Sequence, residues 1–251
     1  MSISTGFASI SMPNGADEAI PIIKVDSEWF RLIPSRFPPV SLYGRVIAND
    51  RTDELAEVEN LTNPRLRTAK LLTDGIAPID PSSPRLQNWN LAPFTYPNPE
   101  GTHFFRSAYS CLELAEDIQT ALAVSVARRE AFLRCTNEGP IGLDMRLLKT
   151  PISGRFVDLR ERTENLTVNE CWKLGDQIIQ MGHDGVLFRG PERPSASCVG
   201  IVKEGTLGRS QQTRHFRYLW DGSRIRTLYA FDDASEINAE MLASAEVVIA
   251  A

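Results

Sequence analysis

Three stretches of this chain carry side chains that could do chemistry. His103 stands before Phe104, Phe105 and Arg106. A histidine among aromatics can serve as an acid, a base or a weak cation, but the least demanding reading is a packed, hydrogen-bonded ring. His183-Asp184-Gly185 sits at an expected helix-to-strand junction, where Asp184 more simply caps backbone amides. Arg189-Gly190-Pro191-Glu192-Arg193-Pro194-Ser195 is a polar, proline-rich loop between two apolar runs, a place where a ligand loop and a plain surface loop look alike. A fourth candidate is Arg31, set in the apolar run Trp29-Phe30-Arg31-Leu32-Ile33. Its five donors need an anion or a carboxylate, because they cannot be left dry, and a ligand-facing role and a structural ion pair read equally well. The four cysteines, Cys111, Cys135, Cys171 and Cys198, have no CxxC spacing and no histidine at zinc-ligand distance, so they read as idle thiols rather than a metal site. Phosphate-cradling, serine-hydrolase and zinc-protease motifs are absent from the sequence.

The elements that must position these residues alternate between strand and helix patterns. Hydrophobic residues make up 42% of the 251 and charged residues 24%, which suits a folded globular chain. The formal charge of -5 argues against nucleic-acid binding through overall charge. No run of about 18 apolar residues is present and no secretory pattern opens the chain, so a cytoplasmic protein is expected. Residues 1–21 read as a flexible arm and residues 231–251 as a C-terminal helix or tail, flanking one domain over 22–230. Alternation predicts strands at Ser27–Ile33, Leu143–Leu148 and Phe156–Leu159, and further strands at 185–188, 198–202, 215–219 and 225–229, with Asp221-Gly222 as a turn. Helical spacing predicts a helix from Cys111 to Arg134, a short one over 52–60, one at 235–246, and one opened by the capping box Thr167-Val168-Asn169-Glu170 and closed at Gly182. Six prolines between 78 and 99 predict a long loop. Strands and helices in no strict alternation imply an α+β fold.

The order of several segments adds a resemblance. FRLIPSRFPPVSLYGRV (30–46), ENLTNPRLR (59–67), APFTYPNPEGTHFF (92–105), TALAVSVARREAFLRCTNEGP (120–140), LDMRLL (143–148), GHDGVLF (182–188) and RYLWDGSRI (217–225) together resemble the RES-domain family. The resemblance implies a small split β-sheet core with flanking helices, similar to ADP-ribosyltransferases. It also implies a relation to NAD-degrading toxins of RES-Xre toxin–antitoxin pairs, which break the nicotinamide–ribose bond. NAD is then the expected ligand or substrate, no further cofactor is required, and an antitoxin or a related toxin is the expected protein partner. Such chemistry needs cations on the pyrophosphate and a carboxylate where oxocarbenium charge develops.

Carried over residue by residue, the family's strand arginine is Arg31, implied on the pyrophosphate, with Tyr43 and Arg45 in the same segment and Arg189, Gly190 and Ser195 on the nucleotide side. The family's turn arginine falls on His103, its strand tyrosine on Glu113, its helix acid on Val124 and its serine on Gly190. Four of five pocket positions thus depart from the family pattern. The resemblance therefore implies a catalytically degenerate member that binds a nucleotide or a protein. The alternative is an active NAD glycohydrolase or phosphorylase with a rearranged pocket, Glu113 and His103 acting as relocated acid and cation. Arg31, His103, Glu113, Val124 and Gly190 are expected to line one cleft.

Overall fold

The computed structural model describes residues 6–13, 15, 17–35, 63–75, 78–80, 82–162 and 166–249. The expected helix at 52–60, Tyr43 and Arg45 lie outside the described residues. The elements follow in chain order as β1 (Gly6–Ser11), β2 (Asp17–Pro34), α1 (Pro64–Asp74), α2 (Asn88–Thr95), β3 (Leu112–Ala115), α3 (Ile118–Arg134), β4 (Ile141–Asp158), α4 (Val168–Gln180), β5 (Gly185–Arg189), β6 (Ser197–Ile201), β7 (Gln211–Trp220), β8 (Ile225–Ala230) and β9 (Ser235–Asn238). The nine strands among the described residues join one sheet in the order β1-β2-β3-β6-β5-β4-β7-β8-β9, and β2 also pairs with β4. The α+β class follows directly. No helix among the described residues is long and apolar enough to cross a membrane.

The β2–β4 pairing makes β2, β3, β6, β5 and β4 close on themselves. Because alternate side chains take opposite faces of a strand, this closure sorts the core into two layers. Trp29, Leu112, Leu114, Ile152, Phe156, Leu187, Val199 and Ile201 fill the inside of the ring, with Phe94 of α2 against them. Leu122 and Val126 of α3, Leu174 and Ile178 of α4, and Val186, Phe188 and Cys198 belong to the larger outer layer. β3 and β6 run antiparallel with Glu113 opposite Gly200. Glu113 therefore points to the outer layer, towards α3.

Several expected boundaries move, each for a physical reason. Of the arm expected over 1–21, the described residues 6–11 and 17–21 are strand: β1 folds back on β2 with Ile10 opposite Glu18, and Ala8, Ile10 and Ile20 are buried. The two expected strands over 143–159 are one, β4, because its long pairing with β2 carries it straight through Pro151 and Gly154. The helix expected from Cys111 starts only at Ile118. Leu112 and Leu114 are two residues apart and both enter the ring as strand residues, while Asp117 caps α3 by accepting from the Thr120 amide at 2.8 Å. The proline-rich stretch contains α2 rather than only loop, and Pro93 lies inside that helix. The expected C-terminal helix is instead β9 followed by a 3-10 turn over Ala239–Ala243, since Ile237 reaches the core as a strand residue opposite Leu228. The capping box of α4 forms as read, with Glu170 accepting from the Thr167 amide at 2.8 Å, and Gly182 closes the helix at φ +73°.

Candidate functional site

The turn that presents His103 is held against α4. Gly101 has a φ of +74°, the left-handed region that glycine enters without steric cost. The Thr102 amide donates to the Phe105 carbonyl at 2.7 Å, and the Trp172 indole of α4 donates to the Thr102 carbonyl at 2.9 Å. Arg106 lies 5.4 Å over the Trp172 ring and donates to Asp176 at 3.1 Å. Gly175 of α4 sits so close to this turn that a Cβ there would stand 1.9 Å from the Phe104 carbonyl oxygen. The helix backbone itself thus fixes the turn.

His103 is a packed ring in this setting. It stacks on Phe188 at 4.9 Å with the planes 2° apart, tilts against Phe104 at 5.2 Å, and its Nε2 lies 4.0 Å from Cys171 Sγ. Burial lowers its pKa below the ordinary 6.5. Glu113 and Glu192 pull it upward, and Arg128 pushes it down with the burial. His103 is consequently neutral at pH 7 and supplies no fixed positive charge.

Glu113 is spent on its neighbours. One carboxylate oxygen accepts from the His103 backbone amide at 2.9 Å, and the other pairs with the Arg128 guanidinium. The Glu113 side chain is 6% exposed and that of Arg128 is 48% exposed. Glu113 is the main cause that raises the Arg128 pKa above its ordinary value. Val124 precedes Arg128 by four residues, so both sit on one face of α3. At the end of β5, a Cβ on Gly190 would stand 2.9 Å from Glu192 Oε2 and 3.4 Å from Cys198 Sγ. Burial pushes the Cys198 thiol up to about 12, and that of Cys171 up to about 11. Neither is a thiolate nucleophile at neutral pH.

The structure thus gathers His103, Glu113 and the Gly190 loop, with Val124 and Arg128 on the flanking helix. Arg31 is not among them. It faces the same side of β2 as Trp29, the side opposite Phe30 and Leu32, which pack on the outer layer. There its guanidinium donates to the Trp89 carbonyl of α2, and its Nε is buried without a partner among the described residues. Burial lowers its pKa to about 10, so it remains charged at pH 7. Trp89 has a free carbonyl because residue 93, four positions on, is proline and has no N–H to give it. The expectation that Arg31 shares the cleft therefore fails: its acceptor is a helix carbonyl. Arg189 points away as well, donating to Glu161 at 2.8 Å and to the Pro194 carbonyl at 3.1 Å, and Ser195 is exposed on the loop.

Two residues of the cluster were not singled out from the sequence, Arg128 and Glu192. The signal for Arg128 was its helical spacing from Val124. For Glu192 only its place two residues after Gly190 was visible. In this cluster two carboxylates, Glu113 and Glu192, face one guanidinium, Arg128. A pyrophosphate would meet no uncommitted cation among these groups.

A family model described as the RES domain matches residues 82–221, which include His103, Glu113, Val124, Arg128, Gly190 and Glu192 but neither Arg31 nor residues 43 and 45. Over 225 residues the chain is 54% identical to the Uncharacterized protein y4oC of Sinorhizobium fredii (strain NBRC 101917 / NGR234), covering 89% of this chain and 96% of that relative. Among solved structures, one similar chain comes from the crystal structure of the M. tuberculosis MbcT–MbcA toxin–antitoxin complex, with a TM-score of 0.40 and 11% identity over 76% of this chain and 86% of that one.

Proposed function

The chain belongs to the RES-domain family, and from that premise we propose that it is a catalytically degenerate member, related to the toxins of toxin–antitoxin pairs, that holds a protein partner without turning over NAD. The observation that carries this reading is the commitment of Glu113 to the Arg128 guanidinium and the His103 amide, at a site where the acid position of the helix is Val124.

Cleavage of the nicotinamide–ribose bond needs a carboxylate free to face developing positive charge, and loss of one such group costs about 10²–10³ in rate. Glu113 is already neutralised by an adjacent cation, so it offers little field to an oxocarbenium. Val124 offers none. Gly190 has no side chain to hydrogen-bond a ribose, and His103 is neutral where a guanidinium would clamp phosphate. The two carboxylates beside one guanidinium also disfavour the dianionic pyrophosphate, so a protein is the better fitting ligand than a nucleotide.

The test is incubation of the purified chain with NAD, with and without inorganic phosphate, reading nicotinamide release. The expected result is release at or near the no-enzyme rate under both conditions. Brisk release that disappears in Glu113→Ala would overturn the reading and establish Glu113 as a relocated acid.

A further inference from the structure

Beside the His103 cluster, α3 carries a second face, on which Ala123 is buried and Ala127 half-buried. Ala123, Ala127, Glu130 and Arg134 recur on it at helical spacing, and the two alanines leave room that larger side chains would fill. A cavity of ≈ 350 Å³ opens there between α3, β8 and the C-terminal 3-10 turn. Its floor is apolar, made by Ala123, Val126, Ala127, Ile225 and Leu242.

The C-terminal wall is firmly built. Buried Gln119 donates to the carbonyls of Leu242 at 3.2 Å, Ser244 at 3.2 Å and Glu246 at 3.1 Å, and accepts from the Val248 amide at 2.8 Å. Buried Arg193 donates to the Ser244 carbonyl at 2.9 Å and to Asp117 at 2.7 Å. The same arginine follows Glu192, so one clamp fixes both the wall and the loop that carries Glu192.

The charges at the cavity are paired with one exception. Glu130 pairs with Arg134 at 2.6 Å, Glu240 with Arg224 at 3.1 Å, and Arg226 with Asp221 at 2.9 Å. Glu192 also lines the cavity, is half-buried, and among the described residues makes no hydrogen bond or ion pair. Arg128, whose guanidinium feels the Glu192 charge, is taken by Glu113.

We propose that this cavity is a docking pocket for a basic side chain of a protein partner, with Glu192 as the counter-ion and the alanine face of α3 receiving the aliphatic stem. An arginine or lysine carries both the cation and the apolar stem that the site complements. A small apolar floor ringed by polar groups, here ion pairs, is the anatomy of a protein interface. Each guanidinium at the mouth already has a carboxylate partner, so an anion would have to share it with that partner.

The experiment is a titration of the full chain with acetyl-Ala-Arg-Ala-amide, followed by the methyl resonances of Ala123, Ala127 and Leu242. Acetyl-Ala-Gln-Ala-amide and butylguanidinium serve as comparisons. The expected result is saturable shifts of those methyls with the arginine peptide, weaker ones with butylguanidinium and none with the glutamine peptide, and binding of the arginine peptide weakened about tenfold in Glu192→Gln. Binding to the unmodified chain should also weaken as salt rises, which tests the ion pair without any variant. No saturable shift, an equal response to the glutamine peptide, insensitivity to both salt and Glu192→Gln, or tighter binding of butylguanidinium than of the peptide would each overturn the proposal. These outcomes are independent of nicotinamide release, so this inference and the reading of the His103 site stand or fall separately.

Discussion

At the scale of single residues, the site is governed by whether each charge has a partner. Glu113 has two, and removing it leaves the Arg128 guanidinium and the His103 amide without their acceptor. Breaking a buried pair costs about 3–5 kcal/mol, but Arg128 is half-exposed and can rehydrate, so Glu113→Ala should destabilise by about 1–3 kcal/mol. The double variant Glu113→Ala with Arg128→Ala should lose less than the two single losses added together. Urea midpoints for the three variants test this, and strictly additive losses would mean that the pair contributes nothing. His103 sets a pH dependence. Its folded pKa lies below 6.5, so between those values the unfolded chain binds more protons than the folded one. Stability then rises with pH across that window and falls as pH drops below about 6.5. His183 is shifted in the same direction. Melting temperatures between pH 7.5 and 5.5 should therefore fall in the natural chain and fall less in His103→Gln; an unchanged slope in the variant would remove His103 as a cause.

At the scale of elements, close backbone approach does the positioning. Gly175 lets α4 rest on the 101–106 turn, where a Cβ would lie 1.9 Å from the Phe104 carbonyl oxygen. Backbone cannot yield as a flexible side chain can, so Gly175→Ala should destabilise by about 3 kcal/mol or more despite its better helix propensity. A urea titration decides it: a variant as stable as the natural chain would show that α4 and the turn separate at little cost. The same logic runs through α2. Pro93 frees the Trp89 carbonyl and the Arg31 guanidinium donates to it, so the helix defect is met by a buried cation. Thr102, Trp172, Arg106 and Asp176 complete the seam between α4 and the turn.

At the scale of the whole molecule, the pairing of β2 with β4 closes five strands into a ring and separates two cores. The N-terminal hairpin belongs to the outer one. Ala8 and Ile10 are buried at 4% and 0% exposure, and β1 covers the edge of β2 from Asp17 to Ile22. Deleting residues 1–16 should uncover Ile20 and open that strand edge, with a lowered melting temperature and concentration-dependent association. Calorimetry and light scattering on the truncated chain provide the check. A shortened chain that melts as the full one does and stays monodisperse would show that the hairpin is dispensable.

The sequence by itself determined the periodic elements, the capped ends and the family. The capping box at Thr167, the turn at Asp221-Gly222 and the apolar runs of β5 and β6 are local signals, set by hydrogen bonds and side-chain types within a few residues. The ordered segments named the RES domain, and the departures at His103, Glu113, Val124 and Gly190 were legible as residue types. Tertiary structure alone decided what those residues face. Arg31 read as a ligand arginine because an isolated strand cannot show which of its faces looks into a ring and which onto the helices. Leu112 fits a helix pattern and a strand pattern equally, and only pairing with Ile201 chose between them. Arg128 and Glu192 entered the site through space, across 15 and 79 residues of chain from Glu113. The balance of charge that defines this pocket is a sum over contacts between distant segments, and no local pattern carries that sum.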